Sequence, residues 1–291
     1  MLGLILQQFV DGLVSGSIYI LVALGMVLIY GVMNVLNFSH GVLFTLAGYV
    51  AHTVYFQLTG DYASSVLVAI LCIVLLGAAI ERLVFRPLRG NMRNQVVAAL
   101  GLVLVIQNCI ILLWGARGLE FRLPTSAILV PIAGTTYSLQ QIIIVLLCGA
   151  VVAAMYGFLT YTRFGIAMRA TSQSPEGALV VGIDVNRMYA VSFAIGSALA
   201  ALGGALLGPV FLLYPQLGDQ PFLKGLAAII LGGLGSVWGT VLGALFIGVV
   251  ESLSTLVIPS DYRDVVTFAG IILVILIKPD GIFGTRVRGE A

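Results

Sequence analysis

Charge is what this chain has least of. Its 291 residues include 14 Lys and Arg, 12 Asp and Glu and two His, so 9% are charged while 60% are hydrophobic. Soluble domains carry roughly 45–50% apolar and about 25% charged residues. A soluble chain of this length could not keep its surface wet with 26 charges. The shortage excludes a water-soluble globular fold. Cysteine is scarcer still: Cys72, Cys109 and Cys148 stand singly in apolar segments, which excludes a disulfide framework and any cysteine-based metal spacing. No Gly-Lys dipeptide occurs, so the chain lacks a phosphate-cradling loop and cannot hydrolyse ATP by that route. Neither nucleophile–base pairs nor clustered carboxylates point to an enzyme.

What the chain has instead is uncharged length. Residues 64–80, 141–159 and 271–277 carry no charge at all, and a bilayer core about 30 Å thick asks for about 20 apolar residues per helix. The expected fold is all-α: a polytopic helical membrane protein with about eight membrane segments, forming one transmembrane domain over residues 1–291. The apolar start lacks the basic region of a cleavable signal peptide and reads as the first membrane helix. Glycine is plentiful, at 35 residues. In lipid, small residues let helix backbones approach closely, and Gly12-x-x-x-Gly16, Gly204-x-x-x-Gly208 and Gly235-x-x-x-Gly239-x-x-x-Gly243 read as packing faces.

No Lys or Arg precedes Arg82, after which Arg86, Arg89 and Arg93 follow closely. By the positive-inside rule this basic turn is cytoplasmic. Spans then follow at about 95–114, 139–160 and 190–212, with residues 161–189 as a second cytoplasmic loop. Residues 115–138 form an outer loop whose Pro124, Pro131, Gly134, Thr135 and Thr136 suit turns rather than a helix. Residues 225–258 are too long for one span. A break at 231–239, with a half-helix entering from outside and the next helix returning there, resolves the length. It also puts ten of the fourteen basic residues and the C-terminus in the cytoplasm, leaving Arg117, Arg122, Lys224 and Arg263 on the outer side.

The segments "MNVLNFSHG" (33–41) and "LGGLGSVWG" (231–239) align without gaps and share Leu36 with Leu234 and Gly41 with Gly239. Each interrupts an apolar run in one half of the chain, which suggests two weakly similar halves with broken or re-entrant helices. Paired interruptions of this kind mark substrate paths in transporters, because irregular backbone at membrane depth needs protein or a watery cavity to satisfy it. Asn34, Asn37, Ser39, His40 and Gly41, with Gly232, Gly233, Gly235 and Ser236, are therefore the candidate path, its polar side chains lining a cavity or pinning a helix break. Polar residues acting only as interhelical glue are the competing reading.

His40 has no second His, Cys or carboxylate near it in sequence, so no metal site is expected and a neutral, hydrogen-bonded imidazole is favoured. Gln107 and Asn108 interrupt an apolar helix and are expected to face other helices. Glu251 is the one carboxylate well inside an apolar segment and so a candidate intramembrane acid. The most informative polar stretch is "ATSQSPEGALVVGIDVNRM" (170–188). Ser174 can cap a helix, Pro175 suits its first position, Glu176 complements its dipole, and Gly182 can close it. A short helix is expected at about 175–181, with Ala178, Leu179 and Val181 on an apolar face for a partner, the membrane surface or this chain's own helix ends.

Taken together, "QQFVDGLVSGSIYILVALGMVLIYGVMNVLNFSHG" (7–41), "TRFGIAMRATSQSPEGALVVGIDVNRM" (162–188), "FAIGSALAALGGALLGP" (193–209) and "KGLAAIILGGLGSVWGTVLGALFIGVVESL" (224–253) resemble the H-type permease subunits of branched-chain amino acid ABC importers. The resemblance implies a multi-pass permease of the bacterial inner membrane that transports amino acids by alternating access. It also implies a similar second permease, two cytoplasmic ATPase subunits that bind the ATP, and a periplasmic substrate-binding protein. This chain itself needs no cofactor. Residues 174–183 correspond to the loop that contacts an ATPase subunit. The chain departs from the family pattern at Val42, where an acidic residue is frequent, and at Asp11, where Asn is common. The lost carboxylate leaves urea or short amides as alternative cargo. Separately, paired helix breaks would look the same in a stand-alone channel or an ion-coupled transporter, and a purely structural subunit is a third reading.

Overall fold

A helix that crosses lipid satisfies its own backbone, so what distinguishes one membrane segment from another is how much protein surrounds it. A computed structural model of the chain describes residues 2–132, 135–233, 235–259, 262–278 and 281. In chain order the helices are α1 (Leu2–Met33), α2 (His40–Val54), α3 (Tyr62–Ile80), α4 (Met92–Trp114), the single turn α5 (Pro124–Ala127), α6 (Leu139–Tyr161), α7 (Arg163–Gln173), α8 (Pro175–Val180), α9 (Val185–Leu207), α10 (Asp219–Gly232), α11 (Val237–Ser254) and α12 (Arg263–Ile277). Wide π-type turns extend α2 through Tyr55–Thr59 and α3 through Glu81–Phe85.

Among the described residues seven helices are long and apolar enough to cross a membrane. The shorter α12 makes an eighth segment, and α10, at about 21 Å for its 14 residues, is re-entrant. The core is built on α1, whose span is 89% buried, whereas those of α4 and α6 are only 17% buried and lie at the periphery of the chain. Antiparallel α11 packs along α1 through glycine: a Cβ on Gly12 would fall 2.7 Å from Val249 Cα, and one on Gly16 3.1 Å from Leu245 Cα. Gly204 of α9 lies against the Phe44 carbonyl of α2, and Gly243 of α11 against the Ala228 carbonyl of α10. The glycine faces are contact surfaces between backbones.

The two ends of the bundle differ in charge. At one end Arg89 pairs with Glu81, meets Asn186, and lays its guanidinium 4.6 Å from the Tyr189 ring centre. The α3–α4 turn and the α7–α9 segment therefore share a basic face. At the opposite end Leu119 and Leu213 pair as an isolated antiparallel bridge, joining residues 115–123 to the 208–218 segment. The expectation of turns rather than a helix in 115–138 is corrected at Pro124–Ala127, a single helical turn, and two short strands, Leu129–Ile132 and Thr135–Ser138, then form an antiparallel hairpin. The register sets Leu129 opposite Ser138, Val130 opposite Tyr137 and Pro131 opposite Thr136. Gly134 falls outside the described residues. Ser138 then caps α6, accepting from Gln141 N, while Gln141 Oε1 accepts from Ser138 N at 3.0 Å. Asp61 caps α3 by accepting from Ser64 N at 2.8 Å, which holds its carboxyl below the usual range.

The α9 helix stops at Leu207, five residues before the expected end, where Gly208-Pro209 interrupts it. The following chain descends into the bundle, with Leu213 and Leu217 buried, before α10 begins.

Candidate functional site

The first interruption starts at Asn34, whose φ of 54° turns the chain out of α1. Asparagine tolerates this left-handed conformation better than other residues with a Cβ. The chain then re-enters the bundle. Asn37 Oδ1 accepts from Ser39 N at 3.1 Å and from Ser39 Oγ at 2.6 Å, so the buried Asn37 pins the start of α2 from inside. His40 and Ser39 are fully buried. The His40 ring fills the notch left by Gly25, where a Cβ would meet it at 2.7 Å and the Gly196 carbonyl at 2.8 Å. Gly41 lies against the backbone of Gly218, and Thr45 Oγ1 accepts from Gly218 N at 2.9 Å. Two helix N-termini, those of α2 and α10, thus meet in the interior. Asn34 is exposed, while Asn37, Ser39 and His40 form a packed seam.

At the second interruption α10 ends on Gly232, and Gly233 (φ 99°) and Gly235 (φ 89°) make the turn. Ser236 caps α11 by accepting from Gly239 N at 3.1 Å. Gly232 and Gly239 face each other backbone to backbone, so neither position has room for a side chain. Leu234 lies outside the described residues, as do Arg286 and Arg288. A small cavity of about 70 Å³ joins Gly235 and Val237 to Gly31 and Val32 of α1 and to Arg169 and Ser172 of α7. The end of α1 and the second interruption therefore converge beside α7 on the basic face.

On that face α8 has the expected form. Ser174 Oγ accepts from Gly177 N at 3.0 Å, Pro175 occupies the first position, and Glu176 lies in the first turn. Its end is a Schellman closure, with Gly182 N donating to Leu179 O and Ile183 N to Ala178 O. Gly182, at φ 83°, occupies the left-handed position that this closure requires. Ala178 is buried against the rest of the chain, while Leu179, Val180 and Val181 stand exposed. Ala178 therefore anchors the helix, and the three exposed residues form its outward apolar face.

The largest group of polar contacts is one that sequence reading missed. Lys224, counted among the cations of the outer side, is buried there: it sits in the second turn of α10, 1% exposed, with Nζ 2.7 Å from Glu251 Oε2 and 2.7 Å from Asp264 Oδ1. Arg263 Nε lies 3.1 Å from Glu251 Oε1, and Tyr19 donates its hydroxyl to Glu251 Oε2 at 3.1 Å. Two cations and two carboxylates cancel, which is how charge survives at this depth. Glu251 is indeed buried, but it is saturated by these partners. The signal available in sequence was Lys224 itself, a cation immediately before the apolar run 225–232. Gln107 donates to Asp219 of α10 at 3.3 Å, as expected of a residue facing another helix. Asn108 does not: it is exposed and returns its Nδ2 to Leu104 O of its own helix at 2.8 Å, satisfying itself locally.

Beside the quartet open two cavities. One, of about 350 Å³, is lined by Asp11, Gln141, Glu251, Ser252, Thr255 and Arg263. The other, of about 180 Å³, is lined by Ile18, Tyr19, Leu207, Phe211, Tyr214 and Leu217. Ser15, Phe211 and Arg263 belong to both, so they are two parts of one chamber. Among the described residues no group of three or more His, Cys, Asp and Glu is placed to hold a metal ion.

Comparison with known proteins places these features in a wider set. The family model described as the branched-chain amino acid transport system permease component matches residues 8–275. The high-affinity branched-chain amino acid transport system permease protein LivH of Salmonella typhimurium is 34% identical, over 96% of this chain and 95% of its own length. BraD of Pseudomonas aeruginosa, of the same description, is 33% identical over 96% and 95%. A more distant likeness, 30% identical over 64% of this chain and 55% of the relative, is to the autoinducer 2 import system permease protein LsrC of Escherichia coli. No solved structure matches the chain.

Proposed function

The chain belongs to the permease component family of branched-chain amino acid transport systems, and from that premise we propose that it carries branched-chain amino acids inward as one of two permeases in an ATP-driven importer. The observation that carries the reading is the match across nearly the whole length to relatives described as branched-chain amino acid permeases. The energy source lies in other chains, since this one has no phosphate-binding loop. Two cytoplasmic ATPase subunits, a second similar permease and a periplasmic binding protein complete the machine. It resides in the bacterial inner membrane, with the Arg82–Arg93 turn, α7, α8 and the C-terminus in the cytoplasm.

In this reading α8 is the coupling element, within a cytoplasmic segment spanning 161–189 of a single permease domain. Its exposed Leu179, Val180 and Val181 dock on an ATPase subunit. Movement of α8 reaches the two interruptions through α7, which lies beside Gly31, Val32, Gly235 and Val237. The seams at 34–41 and 232–236 then serve as the moving parts of the translocation path, because interrupted helices at a substrate path can rearrange at their breaks while continuous helices cannot.

Replacing Leu179 with Asp tests the assignment. The variant should keep the chain folded in the membrane, lose co-purification of the ATPase subunits and lose ATP-driven leucine uptake. Full uptake by the variant would remove α8 from the coupling role, and uptake of leucine by the purified chain alone, without ATP, would replace the importer with a stand-alone carrier.

A further inference from the structure

The outer chamber has a distribution of charge that neither packing nor the ion quartet accounts for. Lys224 and Arg263 are balanced by Glu251 and Asp264. Asp11 stands on the same cavity wall, outside that balance, and among the described residues meets only the Gln141 amide at 3.4 Å. Across the chamber Arg263 spends its Nε on Glu251, and among the described residues its two Nη groups meet no partner. The Arg263 side chain is 44% exposed and lines both parts of the chamber. Among the described residues, therefore, Asp11 presents a carboxylate without a cation and Arg263 presents two guanidinium donors without a partner. Next to both lies the part of the chamber walled by Ile18, Leu207, Phe211 and Leu217.

We propose that this chamber is a binding site for one free α-amino acid with an aliphatic side chain, held with its ammonium on Asp11, its carboxylate on the Arg263 Nη groups and its side chain against Ile18, Leu207, Phe211 and Leu217. The three groups of such a molecule differ in kind, and each meets the matching wall. The polar part alone, at about 350 Å³, lies within the roughly 300–1,000 Å³ typical of small-molecule sites. A guanidinium edge with two parallel donors suits a carboxylate better than any other group in the chamber. The quartet holds this edge in place, because Glu251 grips Arg263 Nε while Lys224 and Tyr19 hold Glu251. The chamber lies at the end of the bundle opposite the basic face, formed partly by the 208–218 segment. It would receive solute from outside before the interruptions at 34–41 and 232–236 move. The inference rests on the importer reading and adds to it a way-station inside the permease itself.

The test uses the assembled transporter in lipid nanodiscs without its binding protein, and three probes: L-leucine, leucinamide, which lacks the carboxylate, and 4-methylpentanoate, which lacks the ammonium. L-leucine should bind, and each truncated probe should bind at least about tenfold more weakly. Asp11→Asn should erase the difference between L-leucine and 4-methylpentanoate, and Arg263→Gln that between L-leucine and leucinamide. Because these readouts are ratios between probes, a general loss of folded protein cannot mimic them. Parallel nanodiscs with and without phosphatidylethanolamine separate a free amino acid from a zwitterionic headgroup, and only unchanged leucine binding in its absence supports the proposal. No binding of L-leucine, or unaltered probe ratios in both variants, overturns the site. The importer reading is judged separately, by ATP-driven uptake with the binding protein present.

Discussion

Lys224 Nζ and Glu251 Oε2 lie 2.7 Å apart, both side chains almost wholly buried, one on the re-entrant α10 and the other on the long α11. The pair ties a half-helix to the helix that follows its break. Asp264 and Arg263 at the start of α12 extend the tie to a third element. A charge at this depth is tolerated only when paired.

Lys224→Met leaves Asp264 without its cation and Glu251 with Arg263 as its one remaining cation and the Tyr19 hydroxyl as a donor. Thermal unfolding of the purified chain should show a loss of about 2–4 kcal/mol. Lys224→Met with Glu251→Gln should lose less than the sum of the single changes by at least about 1 kcal/mol. Strict additivity would mean that the pair does not form.

Gly204 and Gly149 make a contrasting pair. Gly204→Val drives a side chain into the Phe44 carbonyl, whereas Gly149 has nothing within 4 Å. The first change should destabilise by at least about 1–3 kcal/mol, and Gly149→Val should stay within about 0.5 kcal/mol of the parent. Equal effects in the isolated chain would show that α9 does not pack on α2 as described.

Asn37→Leu removes the acceptor for Ser39 N and Ser39 Oγ, while Asn37→Asp keeps it. Leucine should cost about 1–2 kcal/mol and lower transport, whereas aspartate retains the turn geometry. Comparing uptake of the two variants with their unfolding midpoints separates pinning of the break from contact with a moving solute. If both variants transport normally, the seam has neither role.

Sidedness follows from the charged faces. In a background with Cys72, Cys109 and Cys148 replaced by Ala, Val181→Cys should react with an impermeant thiol reagent only from the cytoplasmic side. Arg117→Cys should react only from the opposite side. Reaction of both from one side would contradict the separation of the basic face from the Leu119–Leu213 end.

Much of this arrangement could be read before any coordinates. The interruptions near 34–41 and 232–236 were legible because asparagine, serine and glycine interrupt long apolar windows. The α8 helix was legible because Ser174, Pro175, Glu176 and Gly182 act within a few residues of one another. The burial and pairing of Lys224 were not legible because a count of basic residues by side carries no depth. Asn108 was misjudged because its partner is a carbonyl one turn back in its own helix rather than a neighbouring helix. The hairpin at 129–138 was missed because its proline and glycine are the same signals that mark plain turns.

Hydropathy sums over a local window, so the sequence alone determined that the chain lives in lipid, how many times it crosses, where it breaks and which short helix it caps. Tertiary structure decided which polar groups neutralise one another and where space remains. Tyr19 and Glu251 are 232 residues apart and Lys224 and Asp264 are 40 apart, yet their pairing depends on positions good to a fraction of an ångström. No local window carries that information, because a hydrogen bond or ion pair is lost within about an ångström of misplacement, while hydrophobic burial tolerates it.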